Sequence, residues 1–161
     1  TLLHVIITLI AILSGFVVIF GMLGSHRLSG WTAIFWLFTV LTSVTGFMFP
    51  ITVFTAALGT GIVAIVVLIF GLVGLYVKNL MSAWRWIYAI AAVVSLYLNV
   101  FVLIVQSFEK VKFLNPTAPM LGPPFAEPAN THFAIAQGVA LLFFVVMGIL
   151  AAIRFRPAPR I

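Results

Sequence analysis

Two histidines at the ends of apolar segments are the residues of this chain best suited to ligand chemistry. His4 opens the first apolar segment and His132 opens the last. If both segments are helices that begin at the same side of a membrane, the two imidazoles lie at similar depth. They could then bind haem b axially, or join Glu109 or Glu127 around a metal ion. The simpler interpretation, which we favour, is that each histidine is interfacial and bonds a helix end, a lipid phosphate or water.

Three side-chain amides form a second candidate group, because amides can donate hydrogen bonds to the carbonyl of a quinone headgroup. Asn99 and Gln106 lie in the fourth apolar segment, on one helical stripe with Ala92 and Ser95, and Gln137 lies in the fifth. The favoured alternative is that these amides join helices to one another, at about 0.6 to 2 kcal/mol each.

Catalytic motifs are absent from the sequence. There is no cysteine, which excludes disulfides, thiolate-bound metals and iron–sulfur clusters. Walker loops, HExxH and GxGxxG are also missing. No Asp, Glu, Lys or Arg lies deep in an apolar segment, which argues against an ion-coupled pump. We therefore predict no catalytic or metal-ligating residue and expect a protein that is not an enzyme.

The composition places these residues on membrane-spanning helices. Hydrophobic residues make up 65% of the 161 and charged residues 6%, which is far too little charge for a soluble surface. A span needs about 20 apolar residues, and five segments qualify: 3–23, 31–49, 53–77, 84–106 and 132–153. The short connections GSHRLSG and PIT require antiparallel neighbours. The sequence predicts one all-α domain over residues 1–161, an integral membrane bundle of five transmembrane helices.

Charge gives this bundle a predicted orientation. Basic residues near span ends mark the cytoplasmic side, which predicts an outer N-terminus and a cytoplasmic C-terminus. The same rule explains the net charge of +6, so we expect contact with membrane lipids and none with nucleic acid. The first segment lacks a basic leader, and we expect a retained helix rather than a signal peptide. One predicted face holds Arg27, Lys78, Arg85, Arg154, Arg156 and Arg160, and the other holds Lys110 and Lys112.

Small and polar residues indicate where the helices meet, because lipid tails compete with neighbouring helices for apolar side chains. The first two segments each carry such a face, and we predict that these faces pack together. The first face comprises His4, Thr8, Ala11 and Gly15, and the second comprises Thr32, Thr39, Thr42, Ser43 and Gly46.

The connection between the last two spans is long and rich in proline. It holds five of the eight prolines within 108–131. Such a segment is stiff and extended, and it is far longer than adjacent helices need. We predict an outer cap that docks a partner through Met120, Leu121 and Phe125.

Several stretches resemble a family of small uncharacterised bacterial inner-membrane proteins with several membrane-spanning helices. They are HRLSGWTAIF, TSVTGFMFP, WRWIYAIAAVVSLYLNVFVLIVQSFEKV, PPFAEP and FAIAQGVALLFFVVMGILAAIRFR, and they fall within residues 26–156. The resemblance implies a bacterial inner membrane and supplies no reaction. It also implies histidines at the turn after the second span, where this chain has Thr52 and Leu58.

Together these features predict a non-catalytic membrane subunit or accessory protein of a larger respiratory, photosynthetic or transport complex. Docking would use the small-residue helix faces and the 108–131 loop. The alternatives are a haem- or quinone-binding redox protein that uses His4 and His132, and a lipid-binding membrane protein.

Overall fold

Five long helices make up almost all of the structure. The computed structural model describes residues 2–48, 56–111, 113–114 and 131–157, with the side chains of 56–58 and 109 excepted. No strand occurs in these ranges. The predicted proline-rich cap, with Met120, Leu121 and Phe125, lies outside them, as does Thr52. The helices are α1 Leu2–Leu23, α2 Ser29–Phe47, α3 Ala56–Leu72, α4 Trp84–Lys110 and α5 Thr131–Arg154, and a π-helical turn, Val73–Val77, continues α3.

Each helix is long and apolar enough to cross a membrane, which confirms the prediction of five membrane-spanning helices. The bounds of α1 and α5 match the predicted segments within about a residue. α4 continues beyond Gln106 to Lys110, because the polar residues there can stay helical outside the hydrocarbon. This architecture is that of an integral membrane protein.

The helices are antiparallel neighbours, as side-chain contacts at their ends show. His4 at the start of α1 meets Thr45 near the end of α2, and Phe108 near the end of α4 meets Phe133 at the start of α5. α4 is central and contacts α1, α3 and α5, whereas the main contacts of α5 are with α4 and, to a smaller extent, α1. One end of the bundle, the basic end, therefore carries the α1–α2 turn, the 78–83 connection and the end of α5.

An aromatic core fills the half of the bundle nearest the basic end. Phe35, Trp36, Tyr88 and Phe155 are almost completely buried, with successive ring centroids 5.1, 6.1 and 5.8 Å apart. Gly71 brings α3 against this core, because a Cβ there would lie 2.2 Å from Trp36 Cη2. Large rings and a missing side chain thus set the distance between α2 and α3.

Candidate functional site

His4 belongs to a polar seam between α1 and α2. Its Nδ1 lies 2.7 Å from Thr45 Oγ1. The Thr45 hydroxyl donates its proton to Leu41 O at 2.7 Å, so we assign His4 Nδ1 as the donor to Thr45. In this tautomer His4 Nε2 is the ring nitrogen with a lone pair. A neutral imidazole ligates haem iron or a metal ion through such a nitrogen.

The seam continues one turn deeper along the same two helices. The Thr42 hydroxyl donates to Thr8 Oγ1 at 3.4 Å, and the Thr8 hydroxyl donates to His4 O at 2.8 Å. Thr8, Ala11 and Gly15 are buried. These contacts confirm the predicted packing of the small and polar faces of the first two spans.

His132 does not belong to the α1–α2 seam, because it lies at the start of α5. It is exposed in the first turn of α5, next to Phe133, whose ring packs against Phe108 of α4. Among the described residues, no group of three His, Cys, Asp or Glu could hold a metal ion. The His4–His132 pair, and the haem b it would bind, stays a prediction.

Asn99 lies at the centre of the bundle with part of its amide unpaired. Three helices meet near this depth at Gly15 of α1, because a Cβ there would touch Leu96 of α4 and Phe35 of α2. Thr39 and Asn99 lie one turn further from the basic end on the same two helices. Within the described structure, Asn99 Nδ2, Thr39 Oγ1 and Ser95 Oγ are buried without a hydrogen-bond partner. Each such group costs about 1–3 kcal/mol of stability.

The two glutamines of the predicted amide group make different contacts. Gln137 Nε2 donates to Phe101 O at 3.2 Å and so joins α5 to α4, while its Oε1 is buried and unpaired within the described structure. Gln106 Oε1 accepts from Lys110 Nζ at 2.9 Å on an exposed part of α4. Gln137 therefore has the interhelical role expected of a membrane amide, and Gln106 bonds within its own helix. A quinone headgroup on the three amides stays a prediction.

Arg85 organises the basic end, a role that sequence reasoning missed. Its Nη1 donates to Phe155 O and, at 3.4 Å, to Ala152 O, so it satisfies carbonyls at the end of α5. Beyond α5, Arg156 N donates to Ser25 Oγ at 2.8 Å and ties the tail to the α1–α2 turn. The sequence feature that could have indicated this role is a basic residue in the first turn of α4, because antiparallel packing places that turn beside the end of α5.

A groove of about 430 Å³ runs between α4 and α5. Its walls include Ile90, Val93 and Tyr97 of α4 and Leu141, Val145 and Ile153 of α5. This groove could not be predicted from the sequence, because apolar residues that line a groove are of the same types as those that face lipid.

The described residues thus contain three features that could bind something: the α1–α2 polar seam, the unpaired polar atoms around Asn99, and the α4–α5 groove. In the seam His4 Nδ1 lies 2.7 Å from the Thr45 hydroxyl, but that hydroxyl donates its proton to Leu41 O, so the imidazole is not placed to take it. No known protein family, curated protein or solved structure matches this chain.

Proposed function

We propose that this protein is a non-catalytic integral membrane subunit, an accessory component of a larger respiratory, photosynthetic or transport complex. It docks through the outward face of α5 and through the predicted cap at 108–131. We place it in a bacterial inner membrane, an assignment that rests on the sequence resemblance.

An open glycine on α5 carries the proposal. At Gly15 and Gly71, neighbours fill the space that a side chain would take: a Cβ would lie 2.7 Å from a side-chain atom at Gly15 and 2.2 Å at Gly71. At Gly138, by contrast, no described atom lies within 4 Å. Ala134, one turn earlier, is also exposed. Two small residues four apart let a second helix approach closely, which is the common basis of helix association in membranes.

The burial of α5 supports the same proposal. Only 17% of its most apolar 18 residues are buried within the described structure, against 22% for α2 and for the span Gly59–Val77, and 44% for α1 and for α4. A lipid-facing helix has no packing reason to place small residues outward, since lipid fills any surface equally. A partner helix against Ala134 and Gly138 supplies that reason.

Charge supports the proposed orientation. Among the described residues, Lys110 lies at the end opposite the basic end, which carries Arg27, Lys78, Arg85, Arg154 and Arg156. Basic residues favour the cytoplasmic side. The proposal therefore puts the 108–131 segment and the starts of α1 and α5 outside.

The experiment fills the open glycine. Gly138→Leu adds a side chain to the α5 face without touching the bundle, and Gly30→Leu does the same at the other open glycine, in the first turn of α2. On native gels of gently solubilised source membranes, we expect wild type and Gly30→Leu to migrate in one complex larger than the monomer. Gly138→Leu should migrate as the free subunit. A monomer in all three samples contradicts the proposal.

A second candidate function, binding of a quinone, is favoured by the unpaired Asn99 Nδ2 within the bundle. Solvent extraction of the purified protein tests it, with a quinone expected from wild type and none from Asn99→Leu. An optical spectrum of the same sample tests the haem alternative through its Soret band. Absence of both signals removes the redox candidates.

A further inference from the structure

The α4–α5 groove and the charges at the basic end point to a lipid site in the half of α5 nearest the basic end, whereas the proposed partner surface lies at the start of α5. We propose that the groove holds one acyl chain of an anionic membrane phospholipid, with the lipid headgroup at Arg154 and Arg156.

The length of the groove matches one leaflet of a bilayer. On α5 the lining runs from Leu141 to Ile153, about 18 Å at about 1.5 Å per residue. One leaflet contributes about 15 Å, half of the hydrocarbon thickness. Ile153 is followed directly by Arg154, which is exposed at the end of the helix. The groove therefore begins at the basic end and stops near the middle of the membrane.

The width of the groove selects a hydrocarbon chain over a helix. An empty volume of about 850 Å³ over that length gives a mean cross-section of roughly 47 Å², about 8 Å across. An α-helix with side chains is about 10–12 Å across and cannot enter. On the α5 side, Gly148 and Ala152 are small and leave space for a ligand. On the α4 side, Val93 and Tyr97 form the opposite wall. A single extended chain fits these dimensions.

The basic end supplies the headgroup contacts. Arg154 and Arg156 are exposed, so both guanidinium groups can reach a phosphate, whereas Arg85 is engaged with the carbonyls of α5. Trp86 lies one turn before the groove residue Ile90 on α4 and is 45% exposed, as an interfacial tryptophan is. Two cations beside an apolar groove complement a lipid with a negative headgroup and a buried chain.

Two adjacent valines give a matched pair of variants. Val145 and Val146 are 48% and 47% exposed, but only Val145 lines the groove. Val145→Trp fills the groove, and Val146→Trp places the same ring on the lipid-facing surface. Both variants should keep wild-type helicity by circular dichroism, because neither valine is in the buried core.

Native mass spectrometry measures the bound lipid after titration with phosphatidylglycerol or phosphatidylcholine. We expect one retained phosphatidylglycerol on wild type and on Val146→Trp, and none on Val145→Trp. Arg154→Gln and Arg156→Gln should each weaken phosphatidylglycerol retention about fivefold and leave phosphatidylcholine unchanged, since each arginine near an anionic surface contributes about that factor.

Three results would overturn the proposal. The first is equal retention by Val145→Trp and Val146→Trp, and the second is equal retention of the two lipids by wild type. The third is a polypeptide that occupies the groove in the purified protein. Loss of the larger complex in Gly138→Leu has no bearing on any of them, so the two proposals fail separately.

Discussion

Gly71→Ala should destabilise the bundle, because the new methyl group has no space. An ideal Cβ at Gly71 lies 2.2 Å from Trp36 Cη2 and 2.7 Å from Cζ2, whereas carbon atoms pack best at about 3.5–4.0 Å. The indole would have to retreat by more than about 1 Å. Trp36 is 2% exposed and lies between the rings of Phe35 and Tyr88, so it has nowhere to go.

The expected magnitude follows from two opposing effects. Overpacking of a well-packed interior costs about 1–3 kcal/mol, and exchange of glycine for alanine within a helix returns up to about 1 kcal/mol. The free energy of unfolding should therefore fall by up to about 2 kcal/mol. Reversible unfolding by sodium dodecyl sulfate in mixed micelles, followed by circular dichroism, measures this change.

Two further variants make the measurement specific to the Gly71–Trp36 contact. Gly138→Ala adds the same methyl group where no described atom lies within 4 Å, and it should leave stability unchanged or slightly raised. Trp36→Phe removes the far end of the indole, so Gly71→Ala should cost less in that background. If Gly71→Ala and Gly138→Ala unfold at the same detergent fraction, the packing described around Trp36 is wrong.

Three other predictions concern polar groups and use the same unfolding assay. Arg85→Gln should lower the free energy of unfolding by about 1–2 kcal/mol, because it removes the donor to the carbonyls at the end of α5. This loss is smaller than that of a fully buried hydrogen bond to a charged group. Its control, Lys78→Gln, removes an exposed cation 5.8 Å from the Trp84 ring and should cost about 0.5 kcal/mol; equal losses would contradict the capping role. His4→Ala and Thr45→Val should each cost more alone than in the presence of the other, with a coupling of about 0.6 and at most about 1.7 kcal/mol, and purely additive losses would contradict the bond between them. Asn99→Leu should leave stability equal or higher, because it removes an unpaired buried amide, and a loss above about 1 kcal/mol would show that Asn99 has a structural partner.

The membrane-spanning segments were predictable because hydropathy and length alone determine them. The segment Leu3 to Leu23 carries no charge and only a few polar groups, so its length and composition favour a membrane-spanning helix. The α1–α2 seam was also predictable, since Thr8 and Thr42 are polar residues that lipid cannot satisfy and a neighbouring helix can.

The partner of His4 was not predictable from its position. The face of the first span that carries His4 was predicted to pack on the second span, but Thr45, which bonds His4, was not among the residues predicted for the second face. The packing of Gly15 between Phe35 and Leu96 contributes to the rotation of α1, and that packing joins residues far apart in sequence. The groove escaped prediction for a related reason, since Val145 and Val146 are the same residue in type and differ only in what stands opposite.

Site-specific photo-crosslinking from the open face of α5, carried out in source membranes, tests the proposed subunit role most directly. A photoreactive residue at Ile135, exposed on α5 beside Ala134, should crosslink to another polypeptide. The same residue at Val63 of α3, which is 51% exposed against 59% for Ile135, should label lipid alone. A crosslinked polypeptide at Ile135 and none at Val63 is the predicted result, and lipid labelling at both positions would contradict it.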